Sequence, residues 1–218
     1  MFIKVISSLC ELFRGTIKVE HLLKHHEHLS TLRDTGCAFV TSAVESIDDE
    51  TLQILDKGHT REDFVRVAQS FRDTGLVLNP TFISFTPWTT PSSYLELLQL
   101  LAELNLVDQV APVQLAIRLL VPEGSRLLEL KQVRAFLQPF EAQKLGYPWV
   151  HPDPHVDTLF ERVCTAVCQD QGTPASRRQV FGAIWTLAHE ALELEAPSYL
   201  DDVQVPATIP YLTEPWYC

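Results

Sequence analysis

Gly36-Cys37-Ala38-Phe39-Val40-Thr41-Ser42-Ala43-Val44-Glu45-Ser46, followed after a short helical stretch by Leu55-Asp56-Lys57-Gly58-His59-Thr60, is the part of the chain on which the fold turns. Residues 37–44 form a largely apolar run of strand length, and the helical segment over 48–56 follows directly. Thr60 then supplies a capping hydroxyl with the Asp63 carboxylate three positions on, and Phe64, Val67 and Phe71 carry an apolar helical face to Gly75. A strand over 76–85 comes next. Thr90-Pro91 opens another helix with proline at its first position, where the missing N–H costs nothing, and Tyr94, Leu97, Leu98, Leu101 and Leu104 form its stripe. A last strand is expected over 113–121.

Upstream of the deciding stretch, residues 16–19 read as a short strand, and Leu22, Leu23, His26, Leu29 and Leu32 as a helical stripe that stops near Gly36. Before them, Phe2, Val5, Ile6, Leu9, Leu12 and Phe13 recur at helical spacing up to Gly15. Nearly all-apolar strands separated by amphipathic helices imply parallel pairing with helices over the sheet. The expected class is therefore α/β. Beyond Pro122 the rhythm changes to helices over 128–137, 156–167 and 180–192, then a Pro-rich tail. The expected organisation is a partial parallel barrel over 1–125, a helical C-terminal extension over 126–196 and the tail over 197–218. A barrel that opens on a helix leaves residues 16–19 without an inner neighbour, and an exposed parallel edge is a liability. The expectation is that further βα units are missing before it, an open four-stranded sheet being the other arrangement.

The chain has 218 residues and 46% hydrophobic content, enough for a sizeable core. Its formal charge is -11, from 17 Lys+Arg against 28 Asp+Glu, so phosphate neutralisation has no source and nucleic acid is not an expected partner. The opening residues are too polar for a signal peptide, and no apolar run is long enough for a bilayer, so no membrane partner and a cytoplasmic location are expected. The 5 cysteines, Cys10, Cys37, Cys164, Cys168 and Cys218, are odd in number and widely spread, which points to reduced thiols.

The two quoted motifs, with Phe82-Ile83-Ser84-Phe85-Thr86-Pro87-Trp88 and Leu120-Val121-Pro122-Glu123-Gly124-Ser125, resemble in order and spacing the middle and later part of the radical S-adenosylmethionine (SAM) core over roughly 16–125. Thr16-Ile17-Lys18-Val19-Glu20-His21-Leu22-Leu23 and the ending Leu212-Thr213-Glu214-Pro215-Trp216-Tyr217-Cys218 look like the subfamily with a CUAEP or CCAEP tail. That family continues past the first tail cysteine with selenocysteine or cysteine, so a UGA codon read as a stop would account for an ending at Cys218. The resemblance implies a partial (β/α) barrel of radical SAM type. It also implies SAM and a four-iron four-sulfur cluster as cofactors of the full-length form, an external reductant, and radical chemistry on an unknown substrate.

By the same resemblance, Glu45 would meet the SAM amino group or ribose and Lys57 its carboxylate, with Ser42 and Lys18 as further SAM-binding candidates. Glu20, Phe85 and Trp88 would wall a pocket at the C-terminal strand ends, where parallel barrels place their chemistry. Cys218 is the tail thiol. Without the resemblance, Glu45 reads rather as a cap for the helix near Asp48, and Lys57 as a cation at a helix C-terminus. No CxxxCxxC occurs in the sequence, so no metal ligands for the cluster are expected from this chain and a missing N-terminal half would supply them. Cys164 and Cys168 sit on an expected helix and read as core packing. Two other readings stand beside this one. The chain is a non-catalytic fragment or a module completed in trans; or His21, His25 and His28 at helical spacing, or His151-Pro152-Asp153-Pro154-His155, hold zinc.

Overall fold

The computed structural model describes residues 17–168 and 177–197. The expected opening helix, the tail beyond Pro197 and Cys218 lie outside them. Along the described chain come α1 (Val19–Lys24), α2 (Leu29–Asp34), β1 (Phe39–Glu45), α3 (Asp49–Ile54), α4 (Arg61–Thr74), β2 (Val77–Phe82), α5 (Pro91–Glu103), α6 (Lys131–Arg134), α7 (Pro154–Cys168) and α8 (Arg177–Glu190), with short 3-10 turns between them. The class is α/β. β1 and β2 pair in parallel, Phe39 opposite Val77 through Ala43 opposite Thr81, and α3 and α4 make the crossover.

Local chemistry sets the helix ends as the residues foretell. Thr60 and Asp63 form a reciprocal capping box on α4, and Gly75 closes that helix in the left-handed conformation at φ 70°. Thr90 and Ser93 do the same for α5 behind Pro91. The single stripe expected over 22–32 is instead broken at His25 (φ -124°), where the chain enters a 3-10 turn, His26–His28, before α2. The break lets both short helices pack on α4 while burying Val19, Leu22, Leu29 and Leu32.

Two of the four expected strands form, and the other two are corrected. Residue 17 makes one backbone rung, Ile17 N–H to Thr41 O at 2.9 Å, and the helix begins at Val19. The run 113–121 starts as a 3-10 turn, Pro112–Ala116. There the Gln114 side chain accepts the Phe82 N–H at 3.0 Å, occupying a donor that a paired strand would use. The chain reaches the sheet line only beyond β2, as a parallel bridge between Phe85 and Arg118.

The two faces of the sheet differ. Val40, Val44, Leu78 and Phe82 point into the main core with Phe64, Phe71 and the α5, α7 and α8 stripes. Thr41, Ala43, Glu45, Asn79 and Thr81 alternate with them and stay half-buried, with Asn79 Nδ2 donating to Thr41 Oγ1 at 3.2 Å. The expected helix over 128–137 is also corrected. Its residues form a 3-10 turn and the four-residue α6, followed by a fold-back with antiparallel bridges Leu137 to Trp149 and Glu141 to Gly146. This fold-back gathers a second apolar cluster around Leu119, Val121 and Trp149 at the C-terminal end of the sheet. No helix among the described residues is long and apolar enough to cross a membrane.

Candidate functional site at the strand ends

β1 ends in a strained turn. A bulge between Ala43 and Glu45 breaks the ladder register, and Ser46 N–H bonds Val44 O at 2.9 Å around Glu45, whose φ is 68°. An i to i+2 hydrogen bond around a positive φ is the rare, strained form of the three-residue turn, and glutamate has no intrinsic liking for it. Such strain persists only where the surroundings over-determine it, and it concentrates at binding and catalytic sites. The surroundings are visible: Glu45 O accepts Ile83 N–H at 2.8 Å, and its side chain meets Lys57 Nζ at 2.7 Å.

Lys57 reaches that position through the end of α3. Asp48 caps the helix by accepting Thr51 N–H at 2.6 Å. At the other end Asp56 N–H bonds Gln53 O at 3.1 Å and Lys57 N–H bonds Leu52 O at 3.1 Å, with Asp56 left-handed at φ 53°. This is a Schellman closure with aspartate where glycine is commoner, and it turns Lys57 back toward β1. Gly58, at φ 71°, continues the turn, and His59 fastens it. The His59 ring is buried between the β1 turn and the Lys57 turn, with Nε2 3.1 Å from Val44 O and Nδ1 3.3 Å from Lys57 O, and a neutral imidazole donates to one of these two carbonyls while packing against the other.

The Glu45 and Lys57 side chains are 16% and 29% exposed, so the pair is sheltered yet open on one side. Glu20 joins them: a Cβ on Gly58 would lie 3.1 Å from Glu20 Oε2, and Lys18 sits 3.6 Å from Glu20 Oε1. Glu20 thus borders the turn that carries Lys57, with Lys18 beside it. Gly58→Ala combines a left-handed backbone with that close approach and is expected to cost about 1–2 kcal/mol, read in urea unfolding, since L residues pay roughly that to enter the region. A substitution without measurable cost would show that the Lys57 turn is pliable.

Of the remaining sequence candidates, Ser42 and Phe85 are buried and Trp88 borders Glu45. Ser42 is wholly buried on the helix face and donates to Ile17 O at 2.7 Å. Phe85 belongs to the core, 1% exposed and stacked on Tyr94. Trp88 is half-buried, edge-on to Phe136, and shares a cleft with Glu45, Asp48 and Ile83. Sequence reasoning passed over His59. Its only signal was its place in the Lys-Gly-His-Thr turn, since nothing in a sequence tells which carbonyls a buried ring will meet.

The fold has counterparts among solved structures. The cobalamin-dependent SAM radical enzyme OxsB with aqua-cobalamin bound superposes with a TM-score of 0.62 at 12% identity, over 85% of this chain and 36% of that one. OxsB with both aqua-cobalamin and SAM bound gives 0.60 over the same shares. This chain therefore spans about a third of OxsB's length, the covered share being 36%. The archaeal Methanocaldococcus infernus Elp3 is also similar, at a TM-score of 0.45 and 15% identity over 69% of this chain. No protein-family model matches the chain, and no curated protein matches it significantly.

A cluster of the radical SAM kind needs three thiolates together, and the described thiols do not fit it. Cys37 donates to Phe39 O at the start of β1, the far end of the strand from Glu45. Cys164 and Cys168 lie on α7. Burial pushes the Cys164 thiol up, with the neighbouring Cys168 adding to it, which leaves Cys164 a poor thiolate. Cys164 is half-buried as core packing requires, whereas Cys168 is exposed.

Proposed function

We propose that this chain forms the SAM-gripping wall of a radical SAM-type enzyme, with the sheet as one arc of a partial barrel. The observation that carries the reading is the Glu45–Lys57 pair, held at 2.7 Å by a strained turn on the C-terminal rim of a parallel sheet. The amino-acid end of SAM is a zwitterion, so its ammonium calls for a carboxylate and its carboxylate for a cation a few ångströms away. Glu45 and Lys57 offer that arrangement already assembled, with Glu20 and Lys18 beside them as a second balanced pair. The half-exposed polar face of the sheet, Thr41, Asn79 and Thr81, lies below for ribose hydroxyls. Bound at a reduced cluster, SAM supplies a 5′-deoxyadenosyl radical; these residues bind and orient it. Because the sequence holds no CxxxCxxC, this reading assigns the cluster to another segment or polypeptide, with the substrate of the assembled enzyme an open choice.

The test reads binding. Isothermal titration of the chain with SAM should give a saturable signal that Glu45→Gln and Lys57→Met each weaken about tenfold or more, the loss of a charge-assisted hydrogen bond of about 1.5–3 kcal/mol. Lys18→Met should weaken it less. An affinity equal to the parent chain's in the Glu45 and Lys57 variants would sink the reading.

A further inference from the structure

The 3-10 turn that interrupts the first helical stripe does something the stripe could not. In a 3-10 turn, residues three apart eclipse one another. His25 caps this turn and His28 ends it, with His28 N–H on His25 O at 3.0 Å. The two imidazoles are accordingly near-parallel, 10° apart with ring centroids separated by 6.2 Å. Glu27 lies between them in sequence, and one ligand atom from each of His25, Glu27 and His28 falls within 4.8 Å of the others. It is the one such group among the described residues. His21, which helical spacing would have added, is not a member, and His26 is turned away, its Nδ1 3.0 Å from Leu23 O. The other histidine motif is spent on local structure: His151 Nδ1 accepts Asp153 N–H at 2.9 Å, and His155 Nδ1 lies 2.9 Å from Asp153 Oδ1.

We propose that His25, Glu27 and His28 form a surface site for a divalent transition metal, zinc being the best fit. Two nitrogens and one carboxylate oxygen are a common zinc donor set, and the half-exposed position leaves the fourth place to water. Donors on one tetrahedral zinc lie roughly 3.4 Å apart, given Zn–N bonds of about 2.0–2.1 Å. Closing from the observed spread takes side-chain rotation alone, because the backbone of the turn is already hydrogen-bonded. The site lies on the α1–α2 connection, clear of the Glu45–Lys57 pair, and does not depend on the SAM reading.

Equilibrium dialysis of the tag-free full chain against zinc, with metal counted by atomic emission, tests this. The expected result is one saturable zinc per chain, its affinity about 10–100-fold weaker in His25→Ala/His28→Ala. Glu27→Gln, at an exposed side chain that leaves the fold alone, should weaken it by a smaller factor, and His155→Ala should leave it unchanged. Zinc should also raise the melting temperature of the parent chain but not of the double variant. Equal zinc affinity in the parent, the double variant and Glu27→Gln, or no saturable zinc on the parent, would overturn the proposal.

Discussion

Phe85→Ala is expected to remove about 3–5 kcal/mol of stability, seen as a lower urea midpoint at unchanged slope. The size follows from where the ring sits. It is 1% exposed, stacked 4.7 Å from Tyr94 and edge-on at 5.1 Å to Phe160, so truncation leaves a cavity lined by two large aromatics that cannot both close it. Its backbone is committed as well: Phe85 N–H bonds Ile117 O at 2.9 Å and Phe85 O accepts Leu119 N–H at 2.8 Å. Tyr94 cannot follow the cavity inward without giving up its 2.8 Å hydrogen bond to Leu115 O. Burial, with a smaller push from Cys164, also raises that phenol's pKa well above its ordinary value, so it remains a neutral donor at ordinary pH. A cost below about 1 kcal/mol would place Phe85 at a yielding surface. Trp88→Ala, at a half-buried ring, should cost less.

Arg178→Ala is expected to cost a similar 3–5 kcal/mol, by a different route. Arg178 grips Asp108 with both Nε and Nη2, Nε lying 3.0 and 2.9 Å from the two carboxylate oxygens. Arg177 donates to the Asp108 backbone carbonyl from the same turn of α8. The Asp108 side chain is 8% exposed and the Arg178 side chain 19%, so removing the arginine strands a carboxylate in a sheltered place. α8 then loses one of its polar anchors to the segment after α5, the Arg177 contact and the apolar face staying in place. Hydrogen exchange should therefore show α8 opening at lower free energy than α4. Arg178→Ala/Asp108→Leu, which removes both charges, should recover much of the loss. If the double change is no more stable than Arg178→Ala, the cost lies in packing and the charge argument fails.

How far the residues foretold the structure varies with how local the cause is. β1, β2, α3, α4 and α5 form close to where the periodicity and caps put them, because Thr60, Asp63, Gly75, Thr90 and Pro91 act within their own turns. The misread segments, residues 16–19 and 113–121, both carry strand-like apolar runs, but whether a run pairs depends on what already occupies the neighbouring backbone. At 113–121 the competitor is the Gln114 side chain on Phe82 N–H. Helix 128–137 fails for a related reason, since Leu127, Leu128, Phe136 and Leu137 find a better burial against Trp149 and Val121 than along one helical face.

The site shows the same division. Glu45 and Lys57 were legible as a pair only through resemblance, and Ser42, three positions before Glu45 along the same apparent motif, turns out to face the core.

What this sequence determined by itself was the class of the fold and the ends of its longer helices. Those depend on backbone propensity, capping and alternation, which act over a few residues. Tertiary structure alone decided that Glu45 would sit in a left-handed turn within 2.7 Å of Lys57, that His59 would be buried between the two turns, and that His25 and His28 would face each other. Each of these joins groups through a bulge, a helix closure or a 3-10 break, and such irregularities form only when packing elsewhere compensates their strain.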